Sequence, residues 1–272
     1  MAIGNFPLVA VDIGNSRIKL GLFERPLAET LPEASRTLAL DPDWSESQLL
    51  EWLPAAPAHF AWWVSSVQRT VSTHLFDWLA AQHAERRKLL VAADLPLEVA
   101  LEHPDRVGMD RLVDCVGVNR LRAAGRAAVI VDLGTAITVD LVSASGAFQG
   151  GGILPGIGMS ARALHQFTDL LPLLSMSELA DPPAVLGTST ASAMRSGLYW
   201  GAIGAIREMI ARLTAGRLDD AQVFLTGGAA PSVAGLLVDQ RSGSAGHPGL
   251  AAIYVPHLAL SGIALAAAHD HA

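Results

Sequence analysis

Two stretches of the chain share one pattern of apolar and polar positions. Leu8–Ser16 reads LVAVDIGNS and Val129–Ala136 reads VIVDLGTA. In each, an apolar run leads to Asp, one apolar residue, Gly and small polar residues. A second extended segment follows, RIKLGLF from Arg17 and ITVDLV from Ile137. An unbroken apolar run of this length suits a strand buried on both faces. Each stretch therefore predicts a β-hairpin, with Asp12 and Asp132 at matching points where the first strand ends. One such unit is a commonplace turn, but two in the two halves of one chain point to a duplicated domain with a phosphate-handling cleft between the copies. Gly14 and Gly134 carry no Cβ to hold a phosphate off the backbone, and Asn15, Ser16 and Thr135 add side-chain donors. Arg17 and Lys19 alternate with Ile18 and Leu20, so both cations share one strand face. A carboxylate there can hold a hydrated cation that bridges phosphate oxygens. The competing reading is an Asx-type turn in each hairpin with merely solvated cations.

Elsewhere the pattern alternates between the two periods. Residues 25–60 are Pro-rich and polar, with a helix near Ser45–Leu53. His59–Val67 reads as a strand ending in small polar residues, with at least one of the adjacent Trp62 and Trp63 in the core. Thr73–Lys88 has helical periodicity, and Leu89–Ala92 suits a short strand. A helix follows the segment Arg106–Arg111 and ends near Gly125. In the second half, Gln149–Gly158 carries five glycines and is predicted as a loop. Helices are predicted over Met159–Leu171, Thr190–Thr214 and Ala259–Ala268, a short strand over Val223–Leu225, and a mobile loop over 239–249. Strands and helices alternate in both halves, which predicts an α/β fold of two domains, 1–124 and 125–272.

Composition narrows the function classes. At 272 residues with 51% hydrophobic content, the chain can bury a sizeable core. Its net charge of −7 disfavours a general nucleic-acid binder. The single cysteine, Cys115, excludes an internal disulfide and sits in an apolar helical stretch that suits the core. Neither a secretory signal nor a membrane span is legible, so a cytoplasmic location is expected. The nine histidines show no metal-ligand spacing, and His269 and His271 read as a frayed tail.

Five segments occur in a telling order: DIGNSRIK at Asp12–Lys19, GMDR at Gly108–Arg111, DLGTAITVD at Asp132–Asp140, GGGILPGIGMS at Gly150–Ser160, and TGG at Thr226–Gly228. Together they resemble type III pantothenate kinase, of the actin/sugar-kinase/Hsp70-like superfamily, over nearly the whole chain. The resemblance implies two ribonuclease-H-like (actin-like) domains with a nucleotide cleft between them, and ATP-dependent phosphorylation of pantothenate to 4′-phosphopantothenate. It implies ATP contacts at Asp12, Ile13, Gly14, Asn15, Ser16, Arg17, Ile18, Lys19 and Thr135. A substrate segment would run through Gly108, Met109, Asp110 and Arg111, with Asp110 as proton acceptor and Thr190 as a further substrate contact. Asp132 would hold a monovalent cation, K+ or NH4+, beside ATP with Mg2+. A homodimer is implied as well.

Two positions depart from the family pattern. Leu101 stands where the family commonly has a substrate-contacting tyrosine, and Ser189 precedes Thr190 where the family often has asparagine. Leu101 motivates an alternative acceptor, another small hydroxylated acid or sugar. A non-catalytic nucleotide-binding protein is the alternative of a different class, against which the retained Asp12, Asp110 and Asp132 argue. Taken without the resemblance, Asp110 also reads as a helix N-cap, the glycine-rich segment as either a pocket lining or a close-packed crossing, and TGG as an ordinary strand-to-helix turn.

Overall fold

β1 (Leu8–Ile13) is buried at every position because it runs down the middle of a sheet. It pairs antiparallel with β2 (Arg17–Phe23) and parallel with β4 (Ala61–Ser66). β3 (Ala34–Ala39) and β5 (Arg87–Leu89) form the edges, giving the order β3-β2-β1-β4-β5. The computed structural model describes residues 4–26, 32, 34–40, 44–175, 181–215, 221–233 and 252–270. They fall into two units, Met1–Leu121 with His257–Ala272, and Arg122–Pro256.

In the first unit one sheet face packs on α1 (Glu46–Trp52) and α2 (Arg69–Ala81), through Val9, Val11, Leu20, Trp62 and Val64 against Leu49, Leu75 and Leu79. The same strands meet α3 (Met109–Leu121) and the last helix, α6 (Leu258–His269), which also pack on each other. α3 buries the run Leu112–Val118, Asp114 included, between polar ends, whereas α6 is apolar on nearly every side because it is enclosed. In α6 nine positions are buried, and its Gly262 lies so close to α3 that an added Cβ would stand 2.7 Å from the Val113 carbonyl carbon. The division expected at residue 124 left this helix with the second half, whereas it belongs to the first unit. The reason is tertiary, since an all-apolar helix does not declare its partner.

The second unit repeats the first. β6 (Ala128–Leu133) pairs antiparallel with β7 (Ala136–Val142) and parallel with β9 (Gln222–Thr226). β8 (Phe148–Pro155) and β10 (Ala252–Tyr254) complete the order β10-β9-β6-β7-β8. Element for element this is the arrangement of the first sheet, with the same directions, so the duplication read from the two hairpins is a duplication of the whole sheet. The fold is α/β with two actin-like domains. α4 (Ile157–Gln166) and α5 (Thr190–Thr214) cover the sheet through Ile157, Ala161, Tyr199, Ile203, Ile206 and Ile210.

Three expectations are corrected. Gln149–Gly158 is not a loop through its first part; it enters β8, because pairing with β7 supplies the order that its side chains do not. α2 stops at Ala81, and the charged residues assigned to its end pass into β5; His83, at φ 55°, turns the chain between them. β3 went unread within the polar segment 25–60, since its exposed alternate residues leave only Leu38 fully buried. Trp62, Trp63 and Cys115 are all core residues. The segment 239–249 and His271 lie outside the described residues. Among the described residues no helix is long and apolar enough to cross a membrane.

Candidate active site

The first hairpin turn is held from several directions. The Gly14 N–H donates to the Arg17 carbonyl at 3.0 Å, closing the turn, and the Leu40 N–H after β3 donates to the Ser16 carbonyl at 3.0 Å. Asp12, at the end of β1, is 3% exposed. Its Oδ2 accepts from Lys19 Nζ at 3.3 Å, directly opposite on β2. Its Oδ1 is buried with no hydrogen-bond partner. Ser65 occupies the neighbouring register position on β4, and its Oγ is likewise buried and unpartnered. Neighbours in a parallel pair project to the same sheet face, so two unsatisfied oxygens stand side by side. Buried polar atoms left this way are costly and suit a hydrated cation. Mg2+ commonly binds through one or two carboxylates while keeping several waters and taking phosphate oxygens. The lone Asp12 carboxylate fits that habit, and among the described residues no group of three or more His, Cys, Asp or Glu converges on a point.

Ile13 and Ile18 are core residues, at most 1% exposed. Their side chains are therefore closed to a nucleotide, and the Ile13 carbonyl accepts from the Val67 N–H at 3.0 Å. Asn15, Ser16 and Arg17 are exposed, and Lys19 is partly so.

The GMDR segment opens α3. Asp110 stands in the first turn rather than at the cap, and its Oδ1 accepts from the Arg111 N–H at 2.9 Å. Gly108 makes this geometry possible, because a Cβ there would lie 2.5 Å from that oxygen. Burial raises the Asp110 pKa above the ordinary carboxylate value, and the negative charge of Asp12 raises it further. The Arg111 N–H, the Arg111 charge and Lys19 pull the other way, more weakly. A carboxyl with a raised pKa is a better proton acceptor than an ordinary aspartate. Its neighbours Met109, Arg111 and, upstream, Leu101 are all half-buried.

His257, the N-cap of α6, has φ 57° and its Nε2 lies 3.3 Å from Ser35 Oγ. Burial and then the Lys19 charge lower its pKa, which favours the neutral ring. Sequence reading missed Ser65 and His257. Ser65 had a visible signal, a small hydroxyl ending an apolar strand, whereas the place of His257 depends on where α6 docks.

In the second unit Asp132 stands opposite Thr138 on β7 and beside Thr226 on β9. The TGG turn is thereby brought to the second hairpin, and the Ala229 N–H donates to the Leu133 carbonyl at 3.1 Å. The Gly156 N–H, following β8, donates to the Thr135 carbonyl at 3.1 Å. Asp132, Thr135 and the end of the glycine-rich segment therefore form one cluster. Thr190 is exposed at the first position of α5. The residue before it, Ser189, is the N-cap, and its Oγ accepts from the Ser192 N–H at 3.2 Å while Ser192 Oγ accepts from the Ser189 N–H at 2.8 Å.

A family model described as type III pantothenate kinase matches residues 8–212. A type III pantothenate kinase of Dehalococcoides mccartyi is 35% identical over 239 residues, covering 84% of this chain and 88% of the relative. Among solved structures, a putative Baf family transcriptional activator from Campylobacter jejuni matches with a TM-score of 0.57 at 20% identity, over 94% of this chain and 95% of that one. A putative 2-dehydro-3-deoxygalactonokinase from Sinorhizobium meliloti matches with a TM-score of 0.53 at 15% identity, over 97% and 98%. At these identities the two structures establish the fold alone.

Proposed function

Because the chain belongs to the type III pantothenate kinase family, we propose that the Asp12–Lys19 turn binds the ATP phosphates and that Asp110 accepts the proton of the attacking hydroxyl. The enzyme is an ATP-dependent pantothenate kinase, catalysing the first step of coenzyme A biosynthesis. The pantothenate alcohol oxygen bonds to the γ-phosphorus, the bond from that phosphorus to the ADP oxygen breaks, and the hydroxyl proton passes to Asp110. The observation that carries these roles is the pairing of two unlike carboxylates in one unit. Asp12 is paired with Lys19 and keeps one buried oxygen without a hydrogen-bond partner, whereas burial and the Asp12 charge raise the proton affinity of Asp110. A divalent ion bound with ATP neutralises charge on the phosphate oxygens, and Asp12 would hold it. Catalysis of this transfer is largely positioning and electrostatics, which the rigid turn and Lys19 provide.

Met109, Gly108 and Arg111 line the acceptor side in this reading, with Arg111 available to the substrate carboxylate and Thr190 a further contact. Thr135 adds an ATP contact and Asp132 holds the monovalent cation. A homodimer in the cytoplasm, with no nucleic-acid or membrane partner, completes the proposal. Leu101 favours one second reading, a different small hydroxylated acceptor, since an aliphatic side chain donates no hydrogen bond.

The test is ADP release from ATP and Mg2+, with and without pantothenate, in potassium and in sodium buffer, the product being identified by mass spectrometry. Pantothenate-dependent turnover that needs potassium is expected. Asp132→Asn is expected to raise the potassium concentration needed for half-maximal rate about tenfold or more, in keeping with the loss of a charged ligand. An unchanged potassium dependence would remove Asp132 from the cation site. Turnover only with another hydroxy acid would favour the second reading.

The raised Asp110 pKa fixes the sign of a pH effect. The base works ionised, so kcat falls as pH drops through its pKa. The acid limb of the kcat profile is expected above the ordinary carboxylate range of about 4. A limb at or below that value would contradict the role.

A further inference from the structure

The two hairpin turns differ by one residue. Asp12 pairs with Lys19, seven positions on, whereas Asp132 pairs with Thr138, six positions on. The shared part of the turn is held alike in both units. Leu40 after β3 donates to the Ser16 carbonyl as Gly156 after β8 donates to the Thr135 carbonyl. By strand register Ser16 and Thr135 correspond, so Asn15 is the extra residue of the first turn. Its peptide has no counterpart in the second unit and needs its own anchor.

Gln68 supplies that anchor. Its Nε2 donates to the Asn15 carbonyl at 2.7 Å and lies 3.4 Å from the Gly14 carbonyl. The side chain is launched from the N-cap of α2, directly after β4. Ser66 fixes the launching peptide on both sides: its Oγ donates to the Gln68 carbonyl at 2.9 Å and accepts from the Gln68 N–H at 3.0 Å. A trans peptide is planar, and its carbonyl and N–H point in opposite directions. Drawing the Gly14 and Asn15 carbonyls towards Gln68 therefore turns the N–H groups of Asn15 and Ser16 to the other side, where the exposed tip of the turn lies. Without the amide, those two peptides are free to flip and present carbonyl oxygens to an anion instead.

We propose that Gln68 is a positioning residue that aims the Asn15 and Ser16 backbone N–H groups at the ATP phosphates. The inference rests on the assignment of this turn to ATP. Two consecutive N–H groups held in this way make an anion-binding concavity, and the conformation is set before the nucleotide arrives.

Gln68→Met keeps length and volume and removes only the donor. The expected result is a dissociation constant for Mg2+–AMPPNP raised about fivefold to tenfold, in line with losing one good and one long hydrogen bond. The KM for ATP rises in parallel, while kcat at saturating ATP and the KM for pantothenate stay within about twofold. The melting temperature stays within about 2 °C, as for a substitution outside the core. Backbone NMR order parameters of Asn15 and Ser16 fall from the rigid range near 0.85 towards the flexible range below about 0.6. Gln68→Glu, whose carboxylate repels the same carbonyls, weakens nucleotide binding further than Met. Unchanged AMPPNP affinity, or affinity lost together with melting temperature and pantothenate KM, would overturn the proposal. If the parent protein itself binds no nucleotide, the assignment of the turn to ATP fails instead, and unchanged order parameters in Gln68→Met would then also refute the anchoring.

Discussion

Replacing Asp110 by asparagine is expected to lower kcat about 10²–10⁴-fold, the usual span for a lost general base, while Mg2+–AMPPNP affinity stays within about twofold. Asparagine keeps the size of the side chain and an oxygen for the Arg111 N–H, so the start of α3 has no reason to change. What it cannot do is take a proton. The same variant carries a stability prediction of opposite sign. A carboxyl whose folded pKa is raised favours the folded state most when protonated; that contribution is complete below the unfolded pKa and is lost as pH rises through the folded pKa. Once ionised, the wild-type Asp110 carboxylate is a half-buried charge near Asp12. The neutral variant is relieved of it and should melt at the same temperature or higher. A dead enzyme that is no less stable and still binds nucleotide separates catalysis from folding. A kcat within tenfold of wild type would end the proton-acceptor role, and a collapse of nucleotide affinity would move Asp110 to the phosphates.

The second large effect concerns α6. Gly262→Ala should gain close to 1 kcal/mol from helix propensity if the helix stood alone. Against α3 the new methyl meets main chain rather than a flexible side-chain end, with the Val113 carbonyl carbon 2.7 Å away. Main chain yields only by moving a helix. Overpacking of this kind costs about 1–3 kcal/mol and occasionally more, enough to outweigh the propensity. At the upper end of that range, which contact with main chain favours, the net loss is about 2 kcal/mol and corresponds to a fall of about 4–8 °C in a domain of this size, read by thermal unfolding. A melting temperature equal to wild type would mean that α3 and α6 separate at little cost.

Much of this was legible in the sequence, for local reasons. The two hairpins showed because central strands buried on both faces write themselves as unbroken apolar runs, and because the aspartate, glycine and small polar residues sit within nine positions of each other. α5 was legible from Thr190 to Thr214, since a serine cap precedes a long run in which Tyr199, Ile203, Ile206 and Ile210 recur at helical spacing. What failed to show was what depends on distant chain. β8 draws its order from β7, and its glycines look like loop to any local reading. Asp12 and Lys19 were evident as residues, but the open oxygen of Asp12 beside that of Ser65 is a consequence of pairing β1 with a strand some fifty residues later. Gln68 carries no motif at all; its interest lies in reaching back to Asn15. The raised pKa of Asp110 needed both the enclosing fold and the proximity of Asp12.

The return of α6 to the first unit bears on the order in which the chain can fold as it is made. Residues up to Leu121 are synthesised first, yet the helix that encloses α3 and one side of β1 arrives about 150 residues later. At ordinary synthesis rates of about 5–20 residues per second, that is a delay of roughly 8–30 s. Through that interval the nascent first unit exposes the apolar surface of α3 and β1. The second unit, being contiguous in sequence, can complete itself meanwhile. The part of the protein that begins first is therefore the part that finishes last, and during that wait it is the stretch most in need of a chaperone.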